Sequence, residues 1–364
     1  MKYMMTIVFS LLLLLALCYV VWHIWTLIPL AAGWKITLLA LGFGCIALLF
    51  LSVARKIDTL PLTLSQICYT IGTSSVIVIL YMMLIFVVLD LGRIVHLVPN
   101  TFLYHSWTGT GCILLALNII LICGNIHYRH KEKVELELQS QQPLQKTYRA
   151  VMLSDMHIGY HNSRQELARW VDMMNQERPD LILIAGDIID GSMRPLLEED
   201  MAAEFRRLQA PIYACLGNHE YYAGQPEALQ FYHDAGIHLL IDEAALIDST
   251  IVVIGRDDRS NPDRKSIAQL MLEAPKGCYT ILLDHQPYHL EESEQAGIDF
   301  QLSGHTHRGQ VWPISWITDA MYECSWGTHQ RGNTHYYVSS GMGIWGGKFR
   351  IGSQSEYVVA TIHS

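Results

Sequence analysis

Five short stretches of this chain carry residues that can hold a cation or move a proton. They read "LSDMHIG" with Asp155 and His157, "AGDIID" with Asp187 and Asp190, "LGNHE" with Asn218 and His219, "LLDHQP" with Asp284 and His285, and "SGHTHRG" with His305 and His307. Singly, each is ordinary. An Asp after a strand is commonly a turn or cap residue, and imidazole fills many roles besides ligation. Together they form a set in which every motif closes an apolar run, and one shared metal site accounts for all of them. Mixed Asp, His and Asn donors suit borderline or hard divalent ions such as Mn, Fe or Zn better than a thiolate-type structural zinc does.

The elements that must position these residues are legible around them. "RAVMLSD", "DLILIAGD", "PIYACLGNH", "IVVIGRDD", "YTILLDH" and "DFQLSG" are apolar runs of strand length, and "KVELELQ" alternates in the strand period. "RQELARWVDMMNQE" (164–177) puts Leu167, Trp170, Val171 and Met174 on one helical face. Buried strands alternating with amphipathic helices predict an α/β domain. Ligands in such sheets gather at the carboxyl ends of strands, so residues far apart in sequence can meet in one cleft. Gly186, Gly217 and Gly304 suit turns where backbone passes close to a site.

Taken in order, D-x-H, G-D-x-x-D, G-N-H-[DE], H-x-P and G-H-x-H resemble the calcineurin-like metallophosphoesterase superfamily over about 147–364. "GHTHRGQ" and "YYVSSGMG" are further similar to its membrane-anchored bacterial branch, which acts on phosphodiesters and lipid-linked phosphates. The resemblance implies a four-layer α/β/β/α sandwich, two divalent metal ions, and hydrolysis of a phosphoester by metal-activated hydroxide. Matched motif by motif, it places Asp155, His157 and His307 on one ion and Asn218, His285 and His305 on the other, with Asp187 bridging them. It gives His219 the task of stabilising charge or protonating the leaving oxygen, with Asp190 orienting that imidazole. Paired cations lower the pKa of a shared water and clamp phosphate oxygens for in-line attack.

Departures narrow the substrate. Protein serine/threonine phosphatases of this superfamily carry Arg directly after the second Asp of G-D-x-x-D. Gly191 stands there, with Arg194 three residues on, which argues against a phosphoprotein. Asp284 reads equally as a carboxylate behind the site or facing solvent. "GRDDRSNPDRK" (255–265) reads as a solvated surface loop, with a headgroup grip as the sharper reading. Trp312, Trp316, Trp326 and Trp345 suit either the core or a lipid-facing rim.

The first third of the chain is of another kind. Residues 3–34, 36–54, 59–89 and 94–128 contain no Asp, Glu, Lys or Arg. Each can hold the roughly 20 apolar residues of a membrane helix, and spans are expected near 4–26, 36–53, 67–89 and 107–126. The first has a weak cleavage-like "LAAG" at 30–33, but its length and the three spans after it favour an uncleaved anchor. The expected organisation is an all-α four-helix transmembrane region (1–128), a juxtamembrane basic collar with a first strand (129–146), and the phosphoesterase domain (147–364).

Charge follows the same division. Residues 1–133 hold eight Lys and Arg against three Asp and Glu, a net of +5, whereas 134–364 carry a net of −14. So acidic a domain argues against nucleic acid as partner. Lys2, Arg55, Lys56, Arg129, Lys131 and Lys133 fall on one side of four spans, and Lys35 and Arg93 on the other. The positive-inside rule then predicts a multi-pass inner-membrane protein with a cytoplasmic catalytic domain. Eight cysteines without metal-like spacing read as core thiols. The expected partners are membrane lipid and a phosphorylated small-molecule or lipid-linked substrate: a phosphodiester, a phosphomonoester or a lipid-linked pyrophosphate. The alternatives are a hydrolase of soluble nucleotides, or a non-catalytic receptor or transport component whose soluble domain binds a phosphorylated ligand. The spans contain almost no ionisable group besides His23, which disfavours transport.

Overall fold

The computed structural model describes residues 2–364, with side chains from residue 14 onward. The chain divides into two compact units, Met1–Asn125 and Ile126–Ser364.

The first unit is helical: α1 (Lys2–Leu27), α2 (Ala32–Val53), α3 (Leu62–Ile94) and α4 (Trp107–Arg129), the last running on into the second unit. Among the described residues, α2, α3 and α4 are long and apolar enough to cross a membrane, and the described apolar part of α1 is Leu14–Leu27. Large side chains such as Trp34, Leu41, Phe50, Val88 and Leu115 are exposed here. That is the reverse of a water-soluble surface. α3 is longer than the expected 67–89, so Asp90 and Arg93 lie inside it. Asp90 accepts from Tyr19 Oη at 2.7 Å and stands 3.0 Å from His23 Nε2 and 3.2 Å from Arg93. Asp90 and Arg93, outside the expected span, therefore lie within the helix, and they are paired.

The second unit holds two six-stranded sheets. The first has the order β1 (Lys131–Gln139), β12 (Ser355–His363), β2 (Tyr148–Leu153), β3 (Leu181–Ala185), β4 (Ile212–Cys215), β5 (His238–Leu239). The second runs β10 (Gly327–Arg331), β11 (Thr334–Val338), β9 (Phe300–Ser303), β8 (Tyr279–Leu283), β7 (Ile251–Gly255), β6 (Glu243–Ile247). β2, β3 and β4 are mutually parallel, with Ala150 opposite Leu181 and Ile182 opposite Ile212. β7, β8 and β9 are likewise parallel, with Ile281 opposite Phe300.

Side-chain alternation along the strands builds the layers. On β2, Val151 and Leu153 pack outward with Leu167, Trp170, Val171 and Met174 of α5 (Arg164–Gln176), as the helical spacing predicted. The same outer layer includes α6 (Arg194–Glu198), α7 (Ala202–Phe205) and α9 (Gln225–Asp234), which follows α8 (Asn218–Ala223). The opposite residues of β2, Ala150 and Met152, pack against Ile281, Leu283 and Phe300 of the second sheet. Beyond that sheet, Val252 and Ile254 meet Ile267 and Leu270 of α10 (Ile267–Glu273). α11 (Leu290–Ala296) and α12 (Ile314–Met321) complete the helices. The architecture is the expected four-layer α/β/β/α sandwich preceded by apolar helices.

Candidate metal centre

Because the central strands of each sheet run parallel, their carboxyl ends open on the same edge, and the motifs follow those ends, in loops or, for Asn218 and His219, in the first turn of α8. The backbone at this edge is costly. Asp155 (φ 52°), His157 (φ 44°), Asp187 (φ 52°), His305 (φ 71°) and His307 (φ 48°) all adopt the left-handed region. Each such residue costs on the order of 1–3 kcal/mol and persists only where its surroundings over-determine it. Here the loops brace one another: Asp155 N donates to Gly186 O, His157 N to Asp187 O, and Gly304 N to His285 O. Two glycines permit the approach. A Cβ on Gly304 would lie 2.2 Å from Asp155 Oδ2, and one on Gly217 would lie 2.1 Å from Asp187 Oδ1.

The side chains converge in two clusters. In the first, His157 Nε2 and His307 Nε2 are 3.0 Å apart, and Asp155 Oδ1 is 3.7 Å from one and 3.4 Å from the other. The second gathers Asp187, His285 and His305, whose donor atoms lie within 4.8 Å of one another. Asp187 Oδ2 is 3.1 Å from His285 Nε2 and 3.8 Å from His157 Nε2, so one carboxylate reaches both clusters. Asn218 follows β4 on the same edge, at the start of α8. Asp155, His157, Asp187, Asn218 and His285 are buried, while His305, His307 and His219 are partly open.

Proton bookkeeping shows that these donors suit divalent ions. His285 Nδ1 lies 2.7 Å from Ala185 O, and a carbonyl only accepts, so Nδ1 carries the hydrogen and the Nε2 lone pair is left over. Ligating histidines are held in this way, by a carbonyl on the far nitrogen. Both His285 Nε2 and Asn218 Oδ1 are buried without a hydrogen-bond partner among the described residues. At the other cluster, burial opposes charge on His157, yet Asp155 and Asp190 raise its pKa to about 10. The carboxylates thus call for positive charge, which a bound cation supplies in place of protons.

His219 lies beside this set rather than opposite it. Its Nδ1 donates to the backbone carbonyl of Asp190 at 2.6 Å, which leaves Nε2 as the nitrogen available to a substrate. Its backbone N donates to Asp187 Oδ1 at 2.9 Å. The Asp190 carboxylate is 3.6 Å from His219 Nδ1 and 3.5 Å from His157 Nδ1. Asp190 therefore orients His219 chiefly through its main chain, and its side chain is shared with His157. Donor atoms of His157, Asp187 and His219 also lie within 4.8 Å of one another.

Several groups that brace the centre were invisible in sequence. Glu220 is fully buried and accepts from Gly217 N at 2.7 Å, Asp187 N at 3.2 Å and Ile189 N at 3.0 Å. Its signal was the acidic position of G-N-H-[DE], read there only as part of a pattern. Arg350, also fully buried, donates to His307 O at 2.8 Å, Ser340 O at 2.6 Å and Gly343 O at 3.0 Å. Nothing in "GGKFRIGS" marks it.

The charged stretch 255–265 is only in part the expected solvated loop: Arg259, Ser260, Pro262 and Asp263 are exposed. Arg256, Asp257 and Asp258 are buried, and Arg256 and Arg264 each pair with Asp284 at 3.1 Å. Asp284, left open by the sequence, is thus the buried anion that draws these arginines inward. Arg194 pairs with Glu198 at 2.6 Å. Trp312, Trp316 and Trp345 are exposed, whereas Trp326 donates to Glu356.

Known proteins resemble this chain to different degrees. A family model described as calcineurin-like phosphoesterase matches residues 148–309. An uncharacterised metallophosphoesterase of Campylobacter jejuni is 30% identical over 259 residues, 68% of this chain and 68% of that one. A zebrafish (Danio rerio) protein described as a transmembrane protein with metallophosphoesterase domain is 28% identical over 270 residues, 69% of this chain and 62% of its own. Among solved structures, the NAD nucleotidase of Haemophilus influenzae is 16% identical with a TM-score of 0.38, over 54% of this chain and 45% of that one.

Proposed function

The chain belongs to the calcineurin-like phosphoesterases and is a metal-dependent phosphoester hydrolase, and on that premise we propose that it is anchored in a membrane and acts on a substrate presented at the bilayer surface. The observation that carries this reading is the joining, in one chain, of a two-cluster donor site with apolar helices of membrane-crossing length. A lipid-linked pyrophosphate or phosphodiester is confined to the same surface as an anchored enzyme, whereas a diffusing nucleotide gains little from anchoring. The exposed Trp312, Trp316 and Trp345 favour the same reading, because indole rings suit the headgroup layer.

In this proposal Asp155, His157 and His307 would hold one divalent ion and Asn218, His285 and His305 the other, with Asp187 serving both. Two such ions, whether manganese, iron or zinc, supply an acidified water and charge neutralisation for the phosphoryl oxygens. The chain's own part is positional. Asp187 keeps its Oδ1 on the His219 backbone while Oδ2 faces His285, which ties the proposed acid to the cleft. With Nδ1–H held by the Asp190 carbonyl, the imidazolium form of His219 would present Nε2–H, whose proton would pass to the leaving oxygen and leave the ring neutral with its hydrogen on Nδ1. The catalytic unit faces the cytoplasm, on the Lys and Arg asymmetry of the short loops. A cytoplasm-only reporter fused after Ser364 should then be active, and an active periplasm-only reporter there would reverse the orientation.

The substrate reading is tested by comparing the full chain with the fragment Ile126–Ser364, both loaded with manganese. The fragment should match the full chain on a soluble phosphodiester. It should lose most of its rate on a lipid-linked pyrophosphate in vesicles. Equal rates on vesicles would remove the presenting role of the helices and put a soluble nucleotide in its place.

A further inference from the structure

The end of the last apolar helix reaches the metal loop through two side chains. Tyr128 stands in the final turn of α4 yet belongs to the same compact unit as the site, and it is fully buried. Its hydroxyl donates to Asn162 Oδ1 at 2.7 Å and lies 3.3 Å from Glu166 Oε1. Asn162, also fully buried, turns its amide nitrogen toward three carbonyls: Met156 O at 3.1 Å, His157 O at 2.9 Å and Ile344 O at 3.2 Å. Its backbone closes the same turn, with Gly159 N donating to Asn162 O.

We propose that Tyr128 is a positioning residue for the first donor cluster, acting through Asn162 on the backbone from which His157 projects. The chemistry of an amide explains the dependence. Asn162 can brace the loop only with Nδ2 toward the carbonyls, which aims Oδ1 the other way, at a buried position where it needs a donor. The Tyr128 hydroxyl is that donor. Without it, the flipped rotamer or a rotated side chain competes, and the Met156–His157 carbonyls lose their common donor. His157 has φ 44°, a conformation that persists only when such contacts over-determine it. Lys131 fixes the tyrosine in turn. Its ammonium donates to Tyr128 O at 2.8 Å and sits 3.7 Å from the centre of the ring. A residue in the last turn of an apolar helix thereby sets the geometry of one half of the metal centre and leaves the other half alone.

The inference rests on the ligand roles proposed above, and the test separates the two. Manganese binding to the full chain is measured by calorimetry for the parent, Tyr128→Phe, Asn162→Ala and the double variant, with the manganese dependence of turnover recorded alongside. Tyr128→Phe keeps the ring and its lysine contact, so the chain should fold, with thermal stability lowered only by the unpaired Asn162 oxygen. One of two manganese sites should weaken by about 10-fold, the usual effect of losing an outer partner of a ligand. The other site should be unchanged, and turnover should recover at saturating manganese. In the double variant the loss should be no greater than in Asn162→Ala alone, since the hydroxyl acts through the amide. Should Asn162→Ala fail to fold, the single Tyr128→Phe isotherm still decides. Unchanged binding at both sites, or equal weakening of both, overturns the proposal. So does a full additional 10-fold loss on top of Asn162→Ala. A parent chain that binds no manganese sinks the ligand assignment itself.

Discussion

The two donor clusters share Asp187 but are held by different means. Behind Asp155, His157 and His307 stand groups that donate: Asn162 to the Met156 and His157 carbonyls, and Arg350 to the His307, Ser340 and Gly343 carbonyls. His285 is held on its far nitrogen by the Ala185 carbonyl, and the residue before it, Asp284, pairs with Arg256 and Arg264. The facing atoms differ as well. In the first cluster two imidazole nitrogens already meet at 3.0 Å, whereas in the second His285 Nε2 faces the Asp187 carboxylate at 3.1 Å and Asn218 Oδ1 has no hydrogen-bond partner among the described residues. A site whose loops are clasped from behind keeps its shape without an ion. One that leaves acceptors bare depends on the ion to satisfy them. The first site is therefore expected to bind metal more tightly, and the second to exchange ligands with substrate.

The change that should break both clusters at once is Asp187→Asn. It replaces the carboxylate oxygen that stands between His157 and His285 and removes one negative charge near both. Turnover should fall to background, and bound metal should drop below two equivalents per chain. Two metals retained with near-normal turnover would remove Asp187 from its proposed place. His219 comes next. His219→Ala should cut kcat by about 10²–10⁴, the usual worth of a positioned acid, with metal content little changed. Loss of a whole metal equivalent would make it a ligand instead, an outcome that its proximity to His157 and Asp187 keeps in view.

How far the sequence could go is visible in the same comparison. Residues that must face an ion are few in type, and each lies beside a strand end, so all seven proposed donors and His219 could be named from local patterns. The groups that brace them could not. Glu220 stands at the acidic position of G-N-H-[DE], but that pattern does not say that it clasps the distant loop at Asp187, and a lone Arg such as Arg350 has no local pattern that distinguishes a buried clasp from a solvated surface charge. Residues 256–258 depart from the expected solvated loop for the same reason, because their burial depends on Asp284 meeting them from another strand, while Arg259, Ser260, Pro262 and Asp263 are exposed as expected. Strand β12 went unread as well. It pairs with β1 in parallel and β2 antiparallel, partners more than 200 residues away, and only that long-range pairing makes it a central strand.

Arg350 sharpens the contrast from the first side. Burial pulls its guanidinium down to about 10, so it is still charged at neutral pH, and its donors go chiefly to carbonyls of the loops around His307. Arg350→Met should destabilise the fold by about 3–5 kcal/mol, as expected when a buried charge network is broken. Metal binding should weaken at the first site before the second. A melt with unchanged midpoint would mean that the carbonyls find other donors. Glu220→Gln should act on both sites, because its two oxygens accept from backbone on either side of Asp187 and an amide group must turn an N–H against one of them. A loss of about 10–100-fold in metal affinity, the range for outer partners, would place Glu220 between the clusters. A loss confined to one site would place it with that cluster alone.

The smallest effect is expected from Asp284→Asn, and it tests the second cluster where Arg350 tests the first. The substitution keeps the shape of the side chain but removes the charge that holds Arg256 and Arg264, both of which then lack their full partner in a buried setting. Arg256 retains Glu292 at 3.2 Å and Lys265 O at 3.0 Å, and Arg264 retains Asp257 O at 2.8 Å, so much of the network survives. The cost to the fold should be about 1–3 kcal/mol, the range for a weakened buried polar pair. His285 is the next residue in the chain, and its Nδ1 is anchored separately to Ala185 O, so its lone pair should keep its direction. Manganese affinity at the second site should fall by no more than about 10-fold, with the first site unmoved. Calorimetric isotherms of the parent and the variant would show this as one shifted step. If the first step moved instead, Asp284 would serve Asp155 and His307 from a distance, and the division of the centre into two separately braced halves would be wrong.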